Sequence, residues 1–230
     1  KKVEFHEDCQ IQHLNEQSFY ECRLLKCVSF PHSMKSIGSG CFFNCMSLTE
    51  MILPDSLTVI FENAFDGCIS IKRVKFSPVL KSIKDYAFFG CSSIEELHFP
   101  STLVEIGDSC FEECSSVEVV TFGPNTELKS IPSKSFRCCS SLIEIVLPDS
   151  VEQIEDHAFE SCTSLAHINV PFNVKRISSF SFAHCNKLKE IKIPPSVTLI
   201  DKAAFGSCFS LTKIFIPSEV KTIEDFAFED

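Results

Sequence analysis

The chain has 230 residues, 44% of them hydrophobic, and a formal net charge of −10 at pH 7. This charge argues against nucleic acid and against anionic lipid as partners, because both call for a basic face. No segment approaches the roughly 18 consecutive apolar residues of a membrane span, and the first residues lack the apolar stretch of a secretory signal.

The dominant feature is a 23-residue repeat, represented by Cys139 to Cys162, CSSLIEIVLPDSVEQIEDHAFESC. Cysteine recurs every 23 residues, with one interval of 25, at positions 22, 45, 68, 91, 114, 139, 162, 185 and 208. A phenylalanine stands three residues before each of them, and Phe228 continues the series. Such a period is typical of a solenoid in which each repeat is one coil. We predict one array of about ten coils over residues 1–230, with no internal domain boundary.

The first unit, residues 3–14, aligns with residues 120–131, and both carry two extra residues between their apolar segments. Insertions of this kind predict a bulge on one face of a solenoid. Solenoids need polar caps, and neither Lys1 nor Asp230 lies in a cap-like segment. We therefore expect the sequence to be a piece of a longer protein, or to be capped by partners.

Each following repeat contains an alternating segment such as Glu50–Leu53, which predicts a short strand. Proline usually follows and marks the end of the strand. A second apolar pair, such as Val151 and Ile154, predicts a second short strand, and the Ala-Phe segment predicts one helical turn at most. The short polar residues after the proline can bond turn backbone: Ser56, Thr102, Ser150, Asn173 and Ser196. Neighbouring strands lie about 4.7–4.9 Å apart, so ten coils predict an array roughly 45–50 Å long.

The unit LxxIxLPxxVxxIxxxAFxxC, repeated from Val3 to Phe228, resembles the leucine-rich repeat of the treponemal, BspA-like type. The resemblance implies a right-handed solenoid, mostly β, with a parallel sheet on one face, short second strands or turns on the other, and little helix. It also implies surface-antigen-like proteins that act in adhesion and host binding. In the general leucine-rich pattern, Leu follows the Asn or Cys slot after one more residue. Here the apolar residue follows at once, which predicts a tighter turn.

The fourteen cysteines allow two interpretations. Nine share one repeat position, which favours small buried thiols in the core. Neighbouring coils would also bring them within disulfide range, although parallel side chains disfavour pairing. Cys41 and Cys110 fill the Ala position before Phe, and Cys9, Cys27 and Cys138 occupy variable positions that we expect to be more exposed.

No sequence signal indicates an enzyme or a cofactor. The CxxxC pairs at Cys41/Cys45 and Cys110/Cys114 could be considered for zinc, but a zinc site needs four converging ligands. The seven histidines are scattered, and no catalytic motif accompanies them. Ladders of Phe and Ile should also fill the interior, leaving no pocket. We predict a protein without catalytic, cofactor or metal sites.

The remaining candidate surface is the strand face, which comprises the outward residues of the first strands and is expected to bind protein. Its candidate residues are Ile52, Arg73, Lys75, Glu96, His98, Val119, Thr121, Glu144, Val146, His167, Asn169, Glu190, Lys192, Lys213 and Phe215. Ile52, Val119, Val146 and Phe215 are apolar where solvent-facing residues are expected. They indicate either strand propensity or a binding strip.

Two hypotheses share this fold and differ in location. The first is a non-enzymatic adhesion module on the cell surface that recognises a host protein or a component of an assembly. The second is a cytoplasmic scaffold that packs along a larger assembly. Abundant unpaired thiols and the lack of an Asn-x-Ser/Thr sequon favour the second.

Overall fold

The computed structural model describes residues 1–6 and 8–230, which form stacked coils made only of short strands and turns. The strands are β1 (Lys2–Glu4), β2 (His13–Leu14), β3 (Cys27–Ser29), β4 (Ser36–Ile37), β5 (Glu50–Ile52), β6 (Val59–Ile60), β7 (Arg73–Lys75), β8 (Ser82–Ile83), β9 (Glu96–Phe99), β10 (Glu105–Ile106), β11 (Val119–Phe122), β12 (Ser130–Ile131), β13 (Glu144–Ile145), β14 (Gln153–Ile154), β15 (His167–Ile168), β16 (Arg176–Ile177), β17 (Leu199–Ile200) and β18 (Thr222–Ile223). In the described chain the Ala-Phe segments form turns, with no assigned helix.

The first strands are the odd-numbered β1 to β15, and they pair in parallel with the strand one coil away. β5 to β15 form a six-stranded sheet in sequential order, and β1 pairs with β3. The register advances by one repeat per strand, as in the pairing of Met51 with Val74. Apolar residues at alternate positions therefore all face the interior, while their neighbours form the strand face.

The second strands are the even-numbered β2 to β16 together with β17 and β18, and they form three parallel sheets. β2 to β10 make five strands, β12 pairs with β14, and β16 to β18 make three. The first break follows the two-residue insertion after Phe122. There the Thr126 hydroxyl donates to the Leu103 carbonyl at 2.7 Å, while β10 and β12 are not paired. The predicted bulge therefore interrupts this sheet between β10 and β12.

A third ladder of backbone hydrogen bonds joins the turns that carry the phenylalanines. The Phe42 amide donates to Ala64 of the next coil at 2.7 Å, and the Phe65 amide donates to Ala87 at 2.8 Å. Each turn from that of Phe19 to that of Phe205 bends through two residues with positive φ. Tyr86, Lys134 and Phe180 adopt φ of 56–57°, although only glycine does so without strain. Stacking of the coils therefore imposes the turn geometry even on bulky residues.

The core is a continuous stack of phenylalanine rings from Phe19 to Phe228. Consecutive ring centroids lie 5.0–5.7 Å apart, and the rings are within 16° of parallel. The rings from Phe42 to Phe205 are buried, and those at the two ends are partly exposed. The parallel arrangement follows from the strand spacing, because each ring must lie directly over the same residue of the neighbouring coil.

Four of the five polar residues after the proline donate to a backbone carbonyl of the preceding coil. Ser56 donates to the Met34 carbonyl of the preceding coil at 2.6 Å, and Ser150 donates in the same way to Leu128 at 2.8 Å. Thr102 and Ser196 repeat this contact. These hydroxyls therefore stabilise the stacking of coils rather than the shape of one turn.

The cysteine ladder is buried from Cys45 to Cys208, but its first member, Cys22, is exposed. The sequence repeat predicted Cys22 to be buried like the others. All fourteen cysteines are unpaired, and Cys9, Cys27 and Cys138 are half-buried.

Candidate functional site: the strand face

The strand face is a strip of two columns, formed because each first strand turns two side chains outward. In the first column Glu50, Arg73 and Glu96 lie side by side, and Val119, Glu144 and His167 continue the column. In the second column Ile52 lies beside Lys75, His98 beside Thr121, and Lys192 beside Phe215. The structure thus brings residues far apart in sequence into one surface.

Large apolar side chains on this strip point into solvent. Phe215 is 77% exposed, Val146 64%, Ile52 57% and Val119 39%. A solvent-facing phenylalanine or isoleucine gains little from folding, since burial of its apolar area provides most of its stabilisation. These side chains are therefore available to a partner.

Ile143 belongs to the same surface, although we did not include it among the candidates. Its side chain is 53% exposed and lines one open depression of about 540 Å³ with Val119, Thr121 and Val146. The signal in the sequence was an isoleucine four residues after Cys139. Most other repeats carry Lys, Thr or Glu at that position. This depression is the most apolar part of the strand face.

Charged groups line the depressions on either side. Arg73, Lys75, Glu96 and His98 surround one of about 450 Å³. Another, of about 580 Å³, lies at the other end of the strip and is bordered by Val146, His167, Asn169, Glu190, Lys192, Lys213 and Phe215. All of them are open to solvent, so the face presents shallow hollows of alternating chemistry rather than an enclosed pocket.

Asn169 differs from the other candidates because its side chain is already engaged. Its Oδ1 accepts the Leu147 amide at 2.6 Å, and its Nδ2 donates to the Leu147 carbonyl at 3.0 Å. The amide thus substitutes for a strand partner, and Asn169 is half-buried. It supports the surface more than it contributes contact area.

His98 connects Thr121 and Glu96 in an arrangement that superficially resembles a catalytic triad. Its Nδ1 lies 2.8 Å from Thr121 Oγ1, and its Nε2 lies 3.1 Å from Glu96 Oε2. The His98 and Glu96 side chains are 57% and 62% exposed. Water therefore competes with each bond, and the arrangement lacks the dry, preorganised surroundings that activate a nucleophile.

The eight buried thiols of the cysteine ladder, from Cys45 to Cys208, donate hydrogen bonds to backbone carbonyls. Cys68 Sγ donates to the Phe42 carbonyl at 3.1 Å, and Cys91 repeats this with Phe65. Burial raises the pKa of Cys41 and of Cys45 to about 12, which disfavours the thiolate needed for nucleophilic attack or metal ligation. Across residues 1–6 and 8–230, no three metal-binding side chains converge on one point.

No helix within the described residues has the length and apolar character to cross a bilayer.

Comparisons with known proteins agree with this architecture. The family model of the BspA type leucine rich repeat region matches residues 12–130 and 129–230, in six copies. No curated protein matches the chain.

Several solved structures share the fold at low sequence identity. A leucine-rich repeat protein from Bacteroides ovatus aligns over 99% of this chain and 72% of its own, with a TM-score of 0.79 and 23% identity. A leucine rich cell surface protein from Faecalibacterium prausnitzii covers 99% of this chain and 84% of its own, with a TM-score of 0.53 and 22% identity. The pneumococcal vaccine antigen PcpA covers 97% and 58%, with a TM-score of 0.66 and 20% identity. At identities this low, the structural match shows a common fold and nothing further.

The leucine-rich repeat is a protein-interaction fold, and its relatives here are non-enzymatic repeat proteins. The repeated unit, the parallel sheet of first strands and the family match lead to one assignment: the chain belongs to the BspA-type leucine-rich repeat family.

Proposed function

We propose that this protein is a non-enzymatic adhesion module, similar to a surface antigen, that binds a protein partner through its strand face. The observation that carries the proposal is the set of exposed apolar side chains, which lie at three places along a strip whose other positions are largely charged or polar. Exposed apolar groups with a polar surround are typical of interaction sites.

The strand face offers three anchor regions along one strip. Ile52 lies near one end, Val119, Ile143 and Val146 lie in the middle, and Phe215 lies near the other end. Aromatic and aliphatic anchors contribute most of the binding energy in protein interfaces, and charged rims set specificity and association rate. We further propose that residues 1–230 act as one uninterrupted solenoid, because the ring stack continues from Phe19 to Phe228.

The test is the triple variant Val146→Glu, His167→Glu, Phe215→Glu, measured against a protein captured on the immobilised chain and then purified. We expect its affinity to fall at least about tenfold, since a buried unpaired carboxylate at an interface is costly. The matched control adds three carboxylates on the Phe-Cys turns, away from the strand face and the second strands, by Ile69→Glu, His184→Glu and Phe209→Glu. If the first variant binds as tightly as the unaltered chain, the strand face is not the site.

The proposed location is the cell surface, supported by the family and by similarity in fold to a leucine rich cell surface protein. The cytoplasmic scaffold is the second candidate, favoured by ten buried cysteines that are all unpaired. Denatured protein from its native source should be alkylated with and without prior reduction, and then weighed intact. Fourteen modified thiols without reduction favour the scaffold. Thiols that react only after reduction favour the surface, because disulfides persist in oxidising compartments.

A further inference from the structure

Exposed charges on the solenoid repeat every second coil rather than every coil. The first column of the strand face carries glutamate on alternate coils, and we name this set the Glu row: Glu50, Glu96, Glu144 and Glu190. Lysine recurs on the intervening coils just before the second strands, and we name this set the Lys row: Lys35, Lys81, Lys129, Lys175 and Lys221. All nine side chains are exposed. The molecule therefore carries a row of glutamates on the strand face, with Arg73 and His167 between them in the same column, and a row of lysines before the second strands.

The two rows have the same spacing because each occupies every second coil, with the Lys row on the coils between those of the Glu row. The Lys81 amide donates to Thr58, and the Thr58 amide donates to Lys35, so successive coils are aligned at this position. Glu50 and Glu96 both pair in register with Arg73 between them. Two coils correspond to roughly 9–10 Å in each row. Charges of one row can thus face charges of the other along the full length of the solenoid.

Most of these charges have no counter-ion within their own chain. Among the described residues, only Lys129 and Glu96 of the two rows take part in an ion pair, with Glu152 and His98. The other seven form no ion pair in that part of the chain. Two complementary, equally spaced and largely unpaired rows are what a contact between copies requires.

We infer that the strand face binds a second copy of this chain, with the Glu row of one copy lying against the Lys row of the next. This inference rests on the proposed function, since it names a partner for the same face. The two surfaces are different, so the contact is heterologous. In a pair, one copy retains a free Lys row and the other retains a free Glu row. Association can therefore continue beyond a dimer.

The contact is expected to be weak and sensitive to salt. A strip about 45 Å long and one residue pair wide buries roughly 450 Å² per copy, well below the roughly 800 Å² of a standard stable interface. Charge pairing supplies most of the attraction, and it is screened as ionic strength rises. Such contacts become significant where copies are crowded together.

Charge reversal of whole rows provides the test. One variant replaces all four Glu-row residues with Lys, and the other replaces all five Lys-row residues with Glu. Sedimentation velocity of the unaltered chain should show reversible association at roughly 25 mM salt that disappears near roughly 500 mM. Each variant alone should remain monomeric, because both its rows then carry the same charge. An equimolar mixture should associate again, because acidic and basic rows then face each other.

The control variant changes the same number of acidic residues away from both rows, by Glu16→Lys, Glu113→Lys, Asp225→Lys and Glu229→Lys. It should associate like the unaltered chain. The inference is overturned if the unaltered chain stays monomeric at low salt, if the mixture stays monomeric, or if the control also loses association. Polyphosphate is tested in parallel, and a monomeric chain that binds it only through the Lys row overturns the inference in favour of a polyanion.

The outcome is separable from that of the proposed function. If copies do not associate while the triple variant Val146→Glu, His167→Glu, Phe215→Glu still binds the purified partner more weakly, only this inference fails. If the triple variant binds the purified partner as tightly as the unaltered chain does, while the mixed row variants associate, the adhesion proposal fails and the contact between copies stands.

Discussion

At the scale of single residues, two buried serines conflict with their surroundings. Ser135 and Ser181 occupy the position before Phe that is alanine in several coils, and their hydroxyls have no hydrogen-bond partner. A buried hydroxyl without a partner loses its hydration and gains nothing in return. The alanines at Ala64 and Ala158 fill the same space without this cost.

Ser181→Ala should therefore raise the free energy of unfolding by about 1 kcal/mol in urea denaturation. Ser178→Ala is the matched control, because the buried Ser178 hydroxyl donates to the Ile154 carbonyl at 2.6 Å. The control should lose about 1 kcal/mol. Equal losses from both substitutions would contradict the assignment of Ser181 as unsatisfied.

Asp66 should make stability depend on pH. Burial raises the pKa of its carboxyl to about 6 from 3.8. The repeat position of Asp66 is occupied by apolar residues in the two flanking coils, Phe43 and Phe89. The folded-state pKa lies above the unfolded value. The stabilising contribution of Asp66 to the free energy of unfolding is therefore complete below about pH 4 and is lost as pH rises through about 6. Since the group is half exposed, the loss should be about 1 kcal/mol.

Asp66→Asn should remove this dependence and be more stable than the unaltered chain at pH 7. The measurement is the difference in unfolding free energy between the two proteins from pH 4 to pH 7. Taking the difference cancels the contributions of carboxyls common to both proteins. A constant difference across that range would show that Asp66 titrates normally.

At the scale of the coil, the thiol ladder explains why cysteine recurs at one position. The Phe65 carbonyl accepts the Cys68 amide of its own turn and the Cys91 thiol of the next coil. Cysteine is small enough for the crowded turn and still supplies a weak donor. The same side chain therefore fills space and connects two coils.

Cys91→Ala should destabilise the protein by about 1–2 kcal/mol, through a small cavity and a lost weak hydrogen bond. Cys22→Ala is the matched control, because Cys22 holds the same repeat position but is exposed. Thermal and urea unfolding should detect no change for Cys22→Ala beyond about 0.5 kcal/mol. Comparable losses at both positions would show that the effect does not come from burial.

At the scale of the whole molecule, stability should vary along the array because each coil contacts only its neighbours. Cys208 lies near one end and its pKa is raised by burial to about 11, whereas the pKa values of Cys114 and Cys139 are raised further in the centre. Terminal coils have one neighbour and should open more often.

Alkylation of the native protein at pH 8 should follow this order. The four cysteines that are not buried should react first, namely Cys9, Cys22, Cys27 and Cys138. Cys45 and Cys208 should follow, and Cys114 and Cys139 should be slowest. Peptide mass spectrometry after timed alkylation gives the rate for each site. One common rate for all ten buried thiols would indicate that the solenoid opens as a single unit.

The sequence by itself determined the coil, its two strands, its inward residues and the two outward columns of the strand face. These follow from alternation within one repeat and from the 23-residue period, which place each side chain inside or outside without knowledge of its partners. The exposure of Ile52, Val146 and Phe215 could be predicted in this way.

Only the tertiary structure decided the contacts between coils. The hydroxyl of Ser56 bonds the preceding coil, and the Asn169 side chain replaces a strand partner. The two-residue insertion separates β10 from β12, and Tyr86 and Lys134 accept a glycine-like backbone. Each outcome depends on residues more than 20 positions apart that meet only after stacking. Stacking supplies enough burial and hydrogen bonding to override local preference.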